Sequence, residues 1–298
     1  MNRKFEISTD STCDFYAHEY EDYDVTFAPL EYNVSEGDDL VVEKDDYKDK
    51  SQYVAFYNRL RHGAIAKTSI LSVQAHVDMF MALAKKGVKQ LLHISQGYGL
   101  SPTIDNANSA IEIVKQEYPD IDYIAVESNT TTIGEGMMVK VAVKMRDNGA
   151  TKEEALDKIN EIKHYTQHFI LANDLKFLAR GGRISKASAS IGSFLQVKPI
   201  IEFGRDGKLK VCRKEMGLKK ALISIVNDFS KFTLNEEFPF VQIVHTDNEP
   251  LALELQKMFK DKYNIEPEIR IMGPIIGAHV GPNSVAYGFI SNEERPYA

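Results

Sequence analysis

The chain has 298 residues, 43% of them hydrophobic and 27% charged, the composition of an ordinary globular protein; at about 100 to 200 residues per domain, two domains are expected. Thirty-six Lys and Arg against 43 Asp and Glu give a formal charge of -7, which leaves no basic footprint for a nucleic-acid backbone. Cys13 and Cys212 are the only cysteines, too few for a disulfide framework or a thiolate-rich metal site, and no apolar run reaches the roughly 18 residues of a spanning helix. The expected location is a reducing cytoplasm.

Short β-rich runs alternate with helical patterns, which predicts an α/β protein with a largely parallel sheet. The strands are expected at 5–9, 90–95, 122–128, 168–172, 240–245 and 268–272. Ser72 reads as an N-cap, followed by Val73, His76, Val77, Phe80, Met81 and Ala84 at helical spacing, with Gly87 ending the run. Thr151 and Glu154 form a capping-box pattern, and Pro250 opens another helix with Leu251, Leu255, Met258 and Phe259 on one side. Residues 20–60 break the alternation and read as an irregular insertion with a small antiparallel piece and a helix near Tyr53 to Leu60. Asp206-Gly207 between two β-like runs signals a hairpin. The domain boundary is expected near residue 165, giving domains 1–165 and 166–298.

Hydroxyl-rich segments follow the strands, where open α/β sheets bind ligands. They are Ser8 to Asp14, Thr68 to Ser72, Ser95 to Thr103, and Ser128 to Thr132. Backbone N–H donors at a helix start suit a carboxylate or phosphate, although each segment alone is read more simply as caps and turns. Arg180 and Arg183 flank Gly181-Gly182 as guanidinium forks able to bind a carboxylate, ahead of a small-residue run, Ser185 to Ser190, expected to be helical. His279, in a loop between glycines and prolines, suits a carboxylate contact or proton shuttling. His164 and His168 have metal-ligand spacing but no third ligand and read as surface or packing residues. The chain has no GxSxG elbow and no GxxxxGK[ST] loop, and Cys13 lacks the surroundings of a thiolate.

Five motifs in order resemble the DegV family of bacterial fatty-acid-binding proteins, the acyl-carrying subunits of fatty acid kinase. They are FEISTDSTCDF (5–15), KTSILS (67–72), ISQGYGLSPTIDNA (94–107), LARGGRISKASASIGSFLQVKPII (178–201) and GPIIGAHVGPNSVAYGF (273–289). The resemblance implies a Rossmann-like N-terminal domain and a mixed-sheet α/β C-terminal domain with the ligand between them. It also implies that Thr68 and a hydroxyl of the serine loop, Ser101 or Ser95, hold a fatty acid carboxylate, with Ser69 and Thr103 beside them and Arg183 and His279 close by. Arg213, in VCRK, matches an arginine that works with the kinase. Pro102, Ile70, Leu71, Asn283 and Ser284 stand where the family pattern has other residues, all near the mouth and head-group end.

The resemblance therefore implies a non-enzymatic carrier that presents a long-chain fatty acid to a separate kinase for acyl phosphate formation. It has no cofactor, touches a membrane surface only transiently and binds no nucleic acid. Burial at roughly 0.8 kcal/mol per CH₂ gives an acyl chain of about fifteen methylenes on the order of 12 kcal/mol before ordering costs, which requires an enclosed apolar tunnel. Phe80, Met81, Ile191, Phe194 and Leu195 are candidate walls. Competing readings are a phosphotransferase or hydrolase using His279, and a regulatory protein with lipid as filler.

Overall fold

The computed structural model describes residues 3–185 and 196–297. The strands in chain order are β1 (Glu6–Asp10), β2 (Val25–Ala28), β3 (Glu31–Glu36), β4 (Asp39–Lys44), β5 (Ile65–Thr68), β6 (Gln90–Ser95), β7 (Asp122–Glu127), β8 (Thr166–Leu171), β9 (Val197–Phe203), β10 (Leu209–Met216), β11 (Val241–His245), β12 (Glu268–Ile271) and β13 (Val285–Ile290). The helices are α1 (Ala17–Asp22), α2 (Lys50–Arg61), α3 (Val73–Lys85), α4 (Thr103–Glu117), α5 (Ile133–Asp147), α6 (Lys152–Ile162), α7 (Leu175–Arg180), α8 (Leu218–Asp228), α9 (Glu249–Tyr263) and α10 (Pro274–Val280).

The first sheet is parallel, in the order β2-β1-β6-β7. Alternation along β6 sends Leu91 to one face, where α3 and α4 pack, and Leu92 and Ile94 to the other, against α5 and α6. Burial on both faces explains why these strands read as continuous apolar runs. The caps act as expected: Ser72 Oγ accepts from Ala75 N at 3.1 Å, and Thr151 and Glu154 close a reciprocal box.

The region 20–60 is more regular than expected. Its first strand, β2, is the edge of the parallel sheet, paired with β1 from Ile7/Val25 to Asp10/Ala28. The sequence VTFAPLEY reads as β-like, but which sheet so short a strand joins is not written in its own residues. The rest contributes β3 and β4 to a three-stranded antiparallel sheet, β4-β3-β5, covered by Tyr53, Phe56, Tyr57 and Leu60 of α2.

From Thr166 onward the strands belong to a six-stranded mixed sheet, β10-β9-β8-β13-β11-β12. Its outer face buries Phe169, Leu171, Tyr287 and Phe289 beneath α8 and α9. Its inner face carries Ile170, Ile201, Val244 and Ala286 toward α5 and the first sheet. The predicted hairpin joins β9 and β10, with Gly207 at φ +69° in the turn.

Three contacts fix the segment leading into α10 against α1, α2 and the turn after β1. Arg270 forms a buried ion pair with Glu19, Tyr57 Oη donates to Met272 O at 2.8 Å, and Gly273 N donates to Asp14 Oδ1 at 2.9 Å. They determine where His279 sits.

Candidate functional site

The inner face of the second sheet meets the carboxyl ends of β5, β6 and β7 across a cavity of about 320 Å³, within the size range of small-molecule sites. Ile170, Phe203, Leu209, Val244 and Ala286 supply one wall; Leu30, Met272, Ile275 and Val280 supply much of another. At the mouth, Lys67, Ser69, Ile70 and Arg180 are exposed.

One end of this cavity is polar. Thr68, the last residue of β5, places Oγ1 2.9 Å from His279 Nε2 on α10, a hydrogen bond between residues 211 positions apart. Ser69, Ser101, Arg180 and Arg183 line the same cavity. Arg183 is held in place by the carbonyls of Gly181 and of Leu100, the latter at 3.1 Å, so the Gly181-Gly182 turn and the serine loop together aim its guanidinium. Burial pushes the His279 imidazole down to about 4, and the neighbouring Arg183 and Arg180 charges push the same way. A neutral imidazole between two cations is a poor general base at neutral pH but a sound hydrogen-bond partner for an anion. Burial also lowers the Arg183 pKa. An incoming carboxylate would relieve the unbalanced positive charge that this arrangement creates.

The other predicted residues are placed as follows. Ser95 and Thr103 are buried but do not line the cavity; among the described residues Ser95 Oγ has only a long 3.5 Å contact to Gln96 O, and Thr103 Oγ1 has no partner. Gln96, one residue beyond β6, lines the cavity instead. Arg213 lies away from it on β10, bonded to Asp228 and to Glu202 at 3.2 Å. Phe80 packs against His76, His93 and Tyr123 rather than the cavity, and Met81 does not line it either. The Ser185 to Ser190 helix and the walls Ile191, Phe194 and Leu195 fall, Ser185 apart, outside the described residues.

His164 and His168 do not share a helix face. His164 caps the approach to β8 and contacts Asn129 Nδ2 at 2.8 Å, whereas His168 is buried on β8 and lines the cavity. Burial drives His168 down to about 3, with the Arg295 charge adding to the effect. His168 shares a face of β8 with Ile170, two residues on, the signal by which sequence links it to the inner wall. Cys13 is buried 3.3 Å from Tyr20 Oη, and burial raises its thiol pKa, away from the thiolate.

The Ser8 to Asp14 segment builds a separate buried acid network. Thr12 Oγ1 lies between Asp10 Oδ1 and Glu135 Oε2, the latter at 2.8 Å. A hydroxyl has one proton to give, so one of these carboxyls must donate to it. Burial raises Asp10 to about 6 and Asp14 to about 8, and lifts Glu135 and Asp45 well above the carboxylate range. No group of His, Cys, Asp and Glu suited to a metal ion occurs among the described residues.

Residues 4–292 match the family described as "Uncharacterised protein, DegV family". A DegV domain-containing protein of Clostridium perfringens is 30% identical over 295 residues, spanning 99% of this chain and 100% of its own. The crystal structure of a DegV lipid binding protein from Thermotoga maritima superposes with a TM-score of 0.81 at 26% identity, covering 98% of this chain and 100% of that one. A second Thermotoga maritima structure, described as revealing fatty acid binding function, has a TM-score of 0.80 at 27% identity, covering 97% and 100%.

Proposed function

Because this chain belongs to the DegV family, we propose that it binds a long-chain fatty acid in the cavity between the six-stranded sheet and the strand ends of the other two sheets and presents the carboxylate to a separate fatty acid kinase. The observation that carries this reading is the Thr68–His279 hydrogen bond at one end of an otherwise largely apolar enclosure. Thr68, Ser69, Ser101, Arg183 and His279 hold the carboxylate, and the apolar walls take the chain. Ser95 and Thr103 support the loop behind them. Residues 1–165 and 166–298 act as the two domains that close on the ligand.

The charge arrangement supports the carrier role. With two guanidinium groups beside it, His279 favours holding a carboxylate over removing a proton from Thr68. Phosphoryl transfer is assigned to the partner: a carboxylate oxygen attacks the γ-phosphorus of ATP, ADP leaves, and the acyl phosphate remains. Arg213 is the kinase-facing contact, and the exchange takes place in the cytoplasm with brief visits to a membrane surface.

Two measurements test the reading. Native mass spectrometry of the purified protein should show one bound fatty acid, and protein that is empty and takes up none overturns it. Reconstitution with a fatty acid kinase and ATP should yield acyl phosphate only when this protein is present. Arg213→Ala should reduce that yield while fatty acid binding is kept; a yield unchanged by the substitution removes Arg213 from the interface.

A further inference from the structure

Four polar side chains, Gln96, Thr131, Thr132 and His168, line the same cavity outside the Thr68–His279 cluster. Each is at most 5% exposed. His168 and Ile170 share a face of β8, so at a strand rise near 3.3 Å the imidazole stands about 7 Å along the wall from the isoleucine. There its ring packs edge-on against Phe203 at 4.9 Å. Polar groups therefore interrupt the apolar wall.

Their hydrogen-bonding capacity is largely unspent. Thr132 holds the N-cap position of α5, where a threonine ordinarily accepts from the helix backbone, yet its side chain makes no such bond. It also sits at φ +53°, ψ -128°, a conformation that a β-branched residue adopts only under strain. The side chains of Gln96 and Thr132 have no hydrogen bond among the described residues, Thr131 Oγ1 makes only a long 3.5 Å bond to Thr12 O, and His168 Nε2 lies 3.2 Å from Thr130 Oγ1. No cationic side chain stands among the four, and the His168 ring is neutral, so this niche suits an uncharged group that both donates and accepts. The guanidinium groups, which suit a carboxylate, line the cavity with the Thr68–His279 cluster.

We propose that the niche of Gln96, Thr131, Thr132 and His168 receives a hydroxyl carried along the acyl chain, making a hydroxylated long-chain fatty acid the preferred ligand. The inference rests on the acyl-binding reading above. A plain methylene chain laid past these groups strips them of water and gives them nothing in return, whereas a hydroxyl pairs with both donor and acceptor.

The test is competition on delipidated protein between stearic acid and a series of monohydroxystearic acids with the hydroxyl at successive positions. Isomers within a window of two or three adjacent positions should bind about tenfold tighter than stearic acid, the scale of one net hydrogen bond. Thr132→Val and Gln96→Leu, made separately so that one folding failure does not end the test, should bring the preferred isomer down to the stearic acid level. Stearic acid affinity should hold or rise in both. The proposal is overturned if no isomer exceeds stearic acid, or if the preference survives in the variants that fold. Binding of stearic acid without preference refutes this inference alone, while binding of neither acid refutes the acyl-binding reading too.

Discussion

Gly181 closes α7 with φ -74° and ψ -8°, ordinary right-handed values that alanine adopts without strain. What excludes a side chain there is His279: a Cβ at residue 181 would lie 2.2 Å from Nδ1, where ordinary contact begins at 3.4 Å. The ring in Gly181→Ala must therefore retreat by about 1.2 Å (3.4 minus 2.2). A displacement of that size disrupts the 2.9 Å bond between His279 Nε2 and Thr68 Oγ1, whose range is only a few tenths of an ångström. A bond to a charged ligand is worth roughly 1.5 to 3 kcal/mol, so losing the imidazole should weaken fatty acid binding by about 10- to 150-fold. Fold stability should change little, because replacing glycine at a permitted conformation contributes roughly 0.4 to 1 kcal/mol in the opposite direction. Displacement of a fluorescent fatty acid from delipidated protein, with thermal melting of the same sample, separates the two effects. An affinity within twofold of the parent, at unchanged melting temperature, would refute the assignment of His279 to the head group.

Ala286 on β13 lines the cavity beside Ile170 and Val244, so Ala286→Leu adds three carbons to the wall of the chain site. Packed interiors do not absorb such volume freely, and the preferred chain should shorten by about two to four carbons, read by competition across saturated acids. The acid network predicts a pH-dependent stability. Asp14 titrates near 8 in the folded protein against 3.8 unfolded, so the stabilising effect of its bound proton is full below about pH 4 and is lost as pH rises through about 8. Asp45→Asn removes a neighbouring negative charge and a buried carboxyl, and should raise the melting temperature more at pH 8 than at pH 5; an equal rise at both would show that the two carboxyls are not coupled.

The sequence by itself determined the local features. Alternation and capping residues located β6, β7, α3 and α6, because period and caps act within a few residues. The glycine and hydroxyl motifs marked Thr68, Ser101, Arg183 and His279 as unusual, and the α/β character followed from the strand and helix rhythm. Tertiary structure decided the rest. The edge strand β2 depends on its partner β1, and the choice of Gln96 over Ser95 at the cavity depends on which side of a strand end faces the second sheet. The pairing of Thr68 with His279 depends on the contacts that lock Arg270 to Glu19 and Gly273 to Asp14, between residues more than 250 positions apart along the chain. His168 shows the limit most clearly. Its spacing from His164 suited a metal pair and it read as a surface or packing residue, yet its strand places it in the cavity wall, because burial is a property of the assembled sheets and not of the intervals between residues.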